Sequence, residues 1–170
     1  MRLEIERKFL VAHDGWRSAV ASKRHLKDGL VGHFARGKVR VRLDGEQAWL
    51  TVKGARDGIA RPEFEYEIPY EDGRSMLDQV CTGRVIEKVR HCVPHEGLMW
   101  EVDVFQGALS GMVFAEVELD DPDQHYVRPD WLGEEVTGDI RFRQSTLLHL
   151  CNQADRRVTM ADVLRLSVTA

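Results

Sequence analysis

Four segments of the chain carry two carboxylates at a spacing of i, i+2: Glu4 with Glu6, Glu63 with Glu65, Glu101 with Asp103, and Glu116 with Glu118. Arg40 with Arg42 and Lys88 with Arg90 repeat that spacing with basic residues, and Lys8, Lys53 and Arg61 stand in comparable settings. A period of two is that of a strand face, so each pair points one way if its segment is extended. Arginine offers a fixed fork for phosphate oxygens, and lysine a mobile point charge. Carboxylates are hard oxygen donors suited to Mg2+ or Mn2+, which take phosphate oxygens as further ligands. Basic clamps, divalent metal and polyphosphate are together the parts of phosphoryl or nucleotidyl transfer.

The elements that must position these groups are strands. Between the charges lie Val39, Val41 and Leu43; Phe64, Tyr66 and Ile68; Trp100, Val102 and Val104; Val113, Ala115 and Val117. The alternation predicts strands over 3–11, 25–34, 38–43, 48–53, 61–69, 84–93, 98–105 and 111–119, with Asp44-Gly45 turning one hairpin. Short amphipathic helices are expected over 16–22, with Trp16, Ala19 and Val20 inward, and from a cap at Asp72 to about Val80, with Met76, Leu77 and Val80 buried. Asp139 is expected to cap another helix to about Cys151, and a weaker one covers 159–166. Trp131-Leu132-Gly133 reads as a packing turn, and the terminal residues as frayed.

Like charges on one strand face repel in an open sheet, and here nearly every charged face has a single sign. A closed barrel with a polar lumen resolves the conflict, because metal against the acids and a polyanion against the bases supply the missing counter-charge. About eight strands suffice to enclose one small ligand. The expected fold is therefore α+β: an eight-stranded antiparallel β-barrel, or tunnel, with a polar lumen and several short helices covering its apolar outside. One domain over 1–170 is expected, with about 152–170 as a peripheral C-terminal extension.

Composition narrows the function further. A net charge of -4 gives no overall attraction to nucleic acid or an anionic membrane. Cys81, Cys92 and Cys151 form no CxxC pair, which suits free thiols in a reducing cytoplasm. The N-terminus has no apolar signal-peptide core, and no stretch is apolar enough for a membrane span. The Walker A string is absent, and the seven histidines are scattered without zinc spacing. Exposed apolar positions on the helices serve either the core or a homodimer.

Glu4-Ile5-Glu6-Arg7-Lys8 resembles the ExExK signature that opens the CYTH domain, or triphosphate tunnel metalloenzyme, superfamily. The resemblance continues in order through Arg40-Val41-Arg42, Thr51-Val52-Lys53-Gly54, Arg61-Pro62-Glu63-Phe64-Glu65, Glu87-Lys88-Val89-Arg90, Trp100-Glu101-Val102-Asp103-Val104-Phe105 and Glu116-Val117-Glu118-Leu119. Residues 131–137 are similar to the region before the family's C-terminal helix.

The resemblance implies a tunnel that binds a small-molecule triphosphate with a divalent metal, Mg2+ or Mn2+. It implies that Lys8, Arg40, Arg42, Lys53, Lys88 and Arg90 hold phosphate, with Arg61 either reaching the terminal one or pairing with an acid. It implies metal at Glu4, Glu6, Glu63, Glu65, Asp103, Glu116 and Glu118, with Glu101 on the strand face of Asp103. Lys8 and Glu65 are the expected catalytic groups. Bacterial relatives commonly carry a Gln-Gly-Tyr-Leu-like string in the second strand, whose Tyr is assigned a supporting catalytic role. Here Asp28-Gly29-Leu30-Val31 stands in its place, and leucine cannot move a proton. The expected activity is hydrolysis of inorganic tripolyphosphate to pyrophosphate and phosphate. Class IV-like adenylate cyclisation, thiamine or nucleoside triphosphate hydrolysis, and binding without turnover are the alternatives.

Overall fold

In the computed structural model, which describes residues 3–167, the acid-bearing N-terminal segment is β1 (Leu3–Val11). It is followed by β2 (Ser22–Phe34), β3 (Gly37–Asp44), β4 (Gln47–Gly54), β5 (Ala60–Ile68), α1 (Tyr70–Gln79), β6 (Ile86–His95), β7 (Leu98–Phe105) and β8 (Val113–Glu118). A short β9 (Leu132–Glu135), α2 (Gln144–Gln153) and α3 (Met160–Leu164) complete the chain. The sheet runs β5-β4-β3-β2-β6-β7-β8-β1 and closes on itself where Leu3, Glu4 and Ile5 face Pro62, Arg61 and Ala60. This is a closed eight-stranded antiparallel barrel with a few short helices outside.

Local chemistry explains the tight hairpins. Gly45 takes φ 60° at the first central position of the β3–β4 turn, and Glu96 and Gly97 both take positive φ between β6 and β7. Such turns match the right-handed twist of the flanking strands. Beyond the closure β1 turns to β9, which pairs with it at Phe9 and Val11.

The apolar strand faces point outward, as the alternation requires. Phe9, Trp16, Trp100, Val102, Val117 and Trp131 form one outer cluster, and Val41, Leu43 and Ala48 lie beneath Leu77 of α1. Fully burying a side chain of this size stabilises the fold by about 1.5–3 kcal/mol. The outer face of β5 is the exception, with Phe64 40% and Tyr66 54% exposed.

A third cluster lies inside. Ile86, Phe105 and Phe114 share strand faces with Lys88, Asp103 and Glu116, yet they are buried with Phe142, Leu147 and Leu148, and Leu10 and Leu30 pack against them. The inward face is therefore polar along most of the barrel and apolar at one end, where α2 sits. Val158 and Val163 join this cluster and anchor the segment after α2.

Several expectations are corrected. Residues 14–19 form a 3-10 turn, capped by the His13 ring, which accepts from the Gly15 amide; Trp16 is buried, whereas Ala19 is exposed. α1 begins directly after Pro69, so Asp72 sits in its first turn and caps nothing, and Val80 is exposed. Residues 132–135 are a strand, because their backbone completes the free edge of β1. Asp139 caps only the 3-10 turn Ile140–Phe142; Arg143 is extended, and the helix restarts at Gln144. The expected helix over 159–166 is shorter, Met160–Leu164, with a Thr159/Asp162 capping box. The terminal residues are expected to fray, and of these 168–170 lie outside the described residues.

Candidate active site

The barrel encloses a cavity of about 600 Å³ whose walls are the charged strand faces. Twelve Lys or Arg and eight Asp or Glu line it, an excess of four positive charges in a chain whose net charge is -4. Phe105, Val136 and Phe142 border it on the side of the apolar plug. The plug also supports cations directly: Lys8 Nζ lies 4.8 Å from the centre of the Phe114 ring and Lys88 Nζ 5.5 Å from that of Phe105.

Register brings the charges together in groups. Asp28 of β2 faces Arg42 of β3, and the pair is held at two points, Arg42 Nε to Oδ1 at 2.6 Å and Nη2 to Oδ2 at 2.9 Å. Gln144 of α2 donates to the same Asp28 Oδ2 at 2.9 Å. Burial works against the Asp28 charge, yet Arg42, Arg40 and Lys88 hold its carboxyl well below the usual carboxylate range. Arg40 donates to Thr51 Oγ1 at 3.1 Å, and that hydroxyl donates to Glu65 at 2.9 Å. The Arg40 Nε is buried without an acceptor, a donor left over for a ligand.

Further along the wall, Asp103 of β7 receives Lys88 Nζ at 2.5 Å and a two-point contact from Arg90 at 2.8 Å. Arg90 also pairs with Glu101 and, at 3.1 Å, with Glu116. Lys8 Nζ lies 3.0 Å from Glu116, whose carboxyl burial would raise but Lys8, Lys88 and Arg90 hold well below its ordinary value. A third group joins β1, β4 and β5: Lys53 lies 2.6 Å from Glu4 and 3.1 Å from Glu63, and Arg61 pairs with Glu4. Despite burial these cations keep Glu4 well below its ordinary value.

Among the described residues Glu118 has no ion-pair partner, and Glu6 has only a long contact from Arg56. They are register partners on β1 and β8, and Arg56 at 3.4 Å is the cation nearest Glu6. Burial, with Glu116 and Glu4 close by, pushes Glu6 up to about 7. Burial, with Glu101 and Glu4, raises Glu118. Among the described residues no three His, Cys, Asp or Glu side chains form a ready-made metal cage. The side-by-side carboxylates of Glu6 and Glu118 are hard oxygen donors of the kind that could hold a divalent cation.

All seven sequence-derived phosphate candidates line the cavity: Lys8, Arg40, Arg42, Lys53, Arg61, Lys88 and Arg90. So do Glu4, Glu6, Glu63, Glu65, Glu116 and Glu118, together with Glu101. Asp103 does not line it; 1% exposed, it is enclosed by Lys88 and Arg90. Leu30 faces the apolar plug rather than the main cavity. Sequence reasoning missed Asp28, Lys38, Arg56 and Gln144. Lys38 was signalled by its i-2 spacing from Arg40, and Asp28 only by a register that the sequence does not print. Arg56 and Gln144 lie outside the strand pattern and gave no signal.

The CYTH domain family matches residues 2–147 of the chain. An inorganic triphosphatase of Acetivibrio thermocellus is 43% identical over 148 residues, covering 87% of this chain and 94% of that one. An inorganic triphosphatase of Nitrosomonas europaea is 38% identical over 151 residues, covering 85% and 95%. A crystal structure of an inorganic triphosphatase superposes with a TM-score of 0.61 at 34% identity, covering 87% of this chain and 95% of that one.

Proposed function

The chain belongs to the CYTH domain family, and on that premise we propose that it is an enzyme that hydrolyses inorganic tripolyphosphate to pyrophosphate and phosphate inside the barrel. The observation that carries this reading is the charge of the lining, an excess of four positive groups enclosed by a chain of net charge -4. The names of the relatives, both inorganic triphosphatases, support the same substrate.

In this reading Arg40, Arg42, Lys53, Arg61, Lys88 and Arg90 hold the phosphate chain. Their carboxylate partners fix the rotamers in advance, so little ordering remains when the ligand arrives. Lys8 sits on the ring of Phe114 and steadies the terminal phosphate as negative charge shifts. Glu65 is the most open of the paired lumen acids, its side chain 42% exposed, and it is oriented by Thr51. It positions a water and accepts its proton. The water oxygen bonds to the terminal phosphorus as the phosphoanhydride bond to pyrophosphate breaks. Glu6 and Glu118, with Glu4 and Glu116 close by and Glu63 beside Glu4, are the groups that would hold Mg2+ or Mn2+. Asp103 acts through Lys88 and Arg90, which it locks. A bound divalent cation supplies charge neutralisation on the phosphate oxygens.

The three cysteines are free, which supports a place in the reducing cytoplasm. Product analysis tests the assignment: purified protein with Mg2+ or Mn2+ and tripolyphosphate, ATP or thiamine triphosphate in turn. Phosphate release fastest from tripolyphosphate is the expected result; pyrophosphate and cyclic AMP from ATP would overturn it.

A further inference from the structure

Lys38 stands apart from the other cations of the cavity. It precedes Arg40 and Arg42 by two and four residues on β3, so the three share a strand face, and the row spans about 14 Å at the rise of an antiparallel strand. Its register partners are His33 on β2 and Lys53 on β4. It borders both the main cavity and a small recess shared with Asp28, Leu30 and Gln144.

Arg40, Arg42, Lys53, Arg61, Lys88 and Arg90 each have a carboxylate partner. Among the described residues Lys38 has no ion pair and no hydrogen bond from its ammonium. The charged groups around it are mostly of its own sign, Arg40 on β3, Lys53 on β4 and Arg61 on β5, and its register partner on β2 is His33. The acids nearest this corner, Glu4 and Glu63, are already bound by Lys53 and Arg61. A half-buried cation among like charges costs stability unless an anion completes the group.

We infer that Lys38 is a phosphate-binding residue, and that with Arg40 and Arg42 it favours linear chains of three or more phosphates over pyrophosphate. The row is longer than a single phosphate or a diphosphate needs, and its first member has no counter-charge of its own. The inference rests on the triphosphatase reading of the cavity and adds to it a residue that sets chain-length preference. Burial, with Arg61, Lys53 and Arg40 close by, pushes Lys38 down to about 7. A polyanion reverses that balance, so binding above neutral pH returns a proton to the ammonium.

The test compares wild type, Lys38→Met and Lys38→Arg. KM for tripolyphosphate is measured with metal, and binding of tripolyphosphate and pyrophosphate is measured by calorimetry at pH 8 without added metal, in two buffers of different ionisation enthalpy. Lys38→Met should raise KM about tenfold or more, the loss expected for one charge-assisted hydrogen bond. Its affinity for pyrophosphate should fall less. Proton uptake on binding tripolyphosphate should drop by about one per site. Lys38→Arg should restore affinity. The ligand-free Lys38→Met protein should melt higher than wild type, which separates lost binding from lost folding. Unchanged affinity and proton uptake in Lys38→Met, with an active wild type, would overturn the role of Lys38 and leave the triphosphatase reading standing. A wild type that neither binds nor hydrolyses tripolyphosphate would overturn both.

Discussion

Asp28 and Arg42 face each other across β2 and β3 in a fully buried two-point pair, with 2.6 Å and 2.9 Å between their heavy atoms. Arg40 and Lys88 reach the same carboxylate at 4.0 Å and 3.9 Å. One acid thus organises three cations of the cavity wall and, through Gln144, ties them to α2. Removing it would leave Arg42 buried without its ion-pair partner and take a second carboxylate from Arg40 and Lys88.

Asp28→Ala should therefore lower the stability of the ligand-free protein by about 3–5 kcal/mol, the cost of breaking a buried pair from one side. Denaturant unfolding measures this directly. Tripolyphosphate should recover part of the loss, because the ligand supplies the missing negative charge.

Arg40→Ala and Arg42→Ala should separate binding from folding. Arg40 has a buried Nε without an acceptor, and its carboxylate approaches are long, 3.6 Å to Glu65 and 4.0 Å to Asp28. Its loss should raise KM for tripolyphosphate about tenfold to a hundredfold with little change in stability. Arg42→Ala leaves Asp28 uncompensated, so it should lower both affinity and the unfolding midpoint. Steady-state kinetics beside thermal melts distinguish the two patterns.

Glu118→Gln and Asp103→Asn make a second contrasting pair. Glu118 has no ion-pair partner among the described residues, and its loss should raise the Mg2+ concentration needed for half-maximal activity several-fold. Asp103 is enclosed by Lys88 and Arg90, so its loss should cost stability and leave the metal requirement less changed. Metal titrations of activity, with melts of the metal-free variants, check this.

Lys38 gives a pH dependence of defined sign. Its folded value, about 7, lies below the ordinary 10.5. Its contribution to stability is therefore present above pH 10.5 and lost as pH falls toward 7. The stability gained by Lys38→Met over wild type should be small near pH 10 and grow as pH falls to 7, then level off. Denaturation midpoints across that range measure it.

Much of the barrel was legible because the period of two runs through β1, β3, β5 and β8 with charges on one face and apolar residues on the other. The hairpin at Asp44-Gly45 declared itself by type. What stayed hidden depended on partners distant in sequence. β9 is four residues long and exists because β1 has a free edge there. The apolar plug was hidden because Ile86, Phe105 and Phe114 occupy lumen positions of strands whose other lumen residues are charged. Asp28 sat in a glycine-flanked string with no pair at i+2, and only its register with Arg42 gives it meaning. Asp103 had the right spacing for a metal ligand, but Lys88 and Arg90 close around it in three dimensions.

Hydrolysis of a triphosphate in this charged lumen is read from the initial rate of phosphate release from tripolyphosphate, with Mg2+ and with excess chelator, for wild type and Glu65→Gln. Wild type should release phosphate in a reaction that chelator abolishes, and Glu65→Gln should lose more turnover than tripolyphosphate binding. Release that survives chelation, or no release from a folded wild type that binds tripolyphosphate, would contradict this assignment.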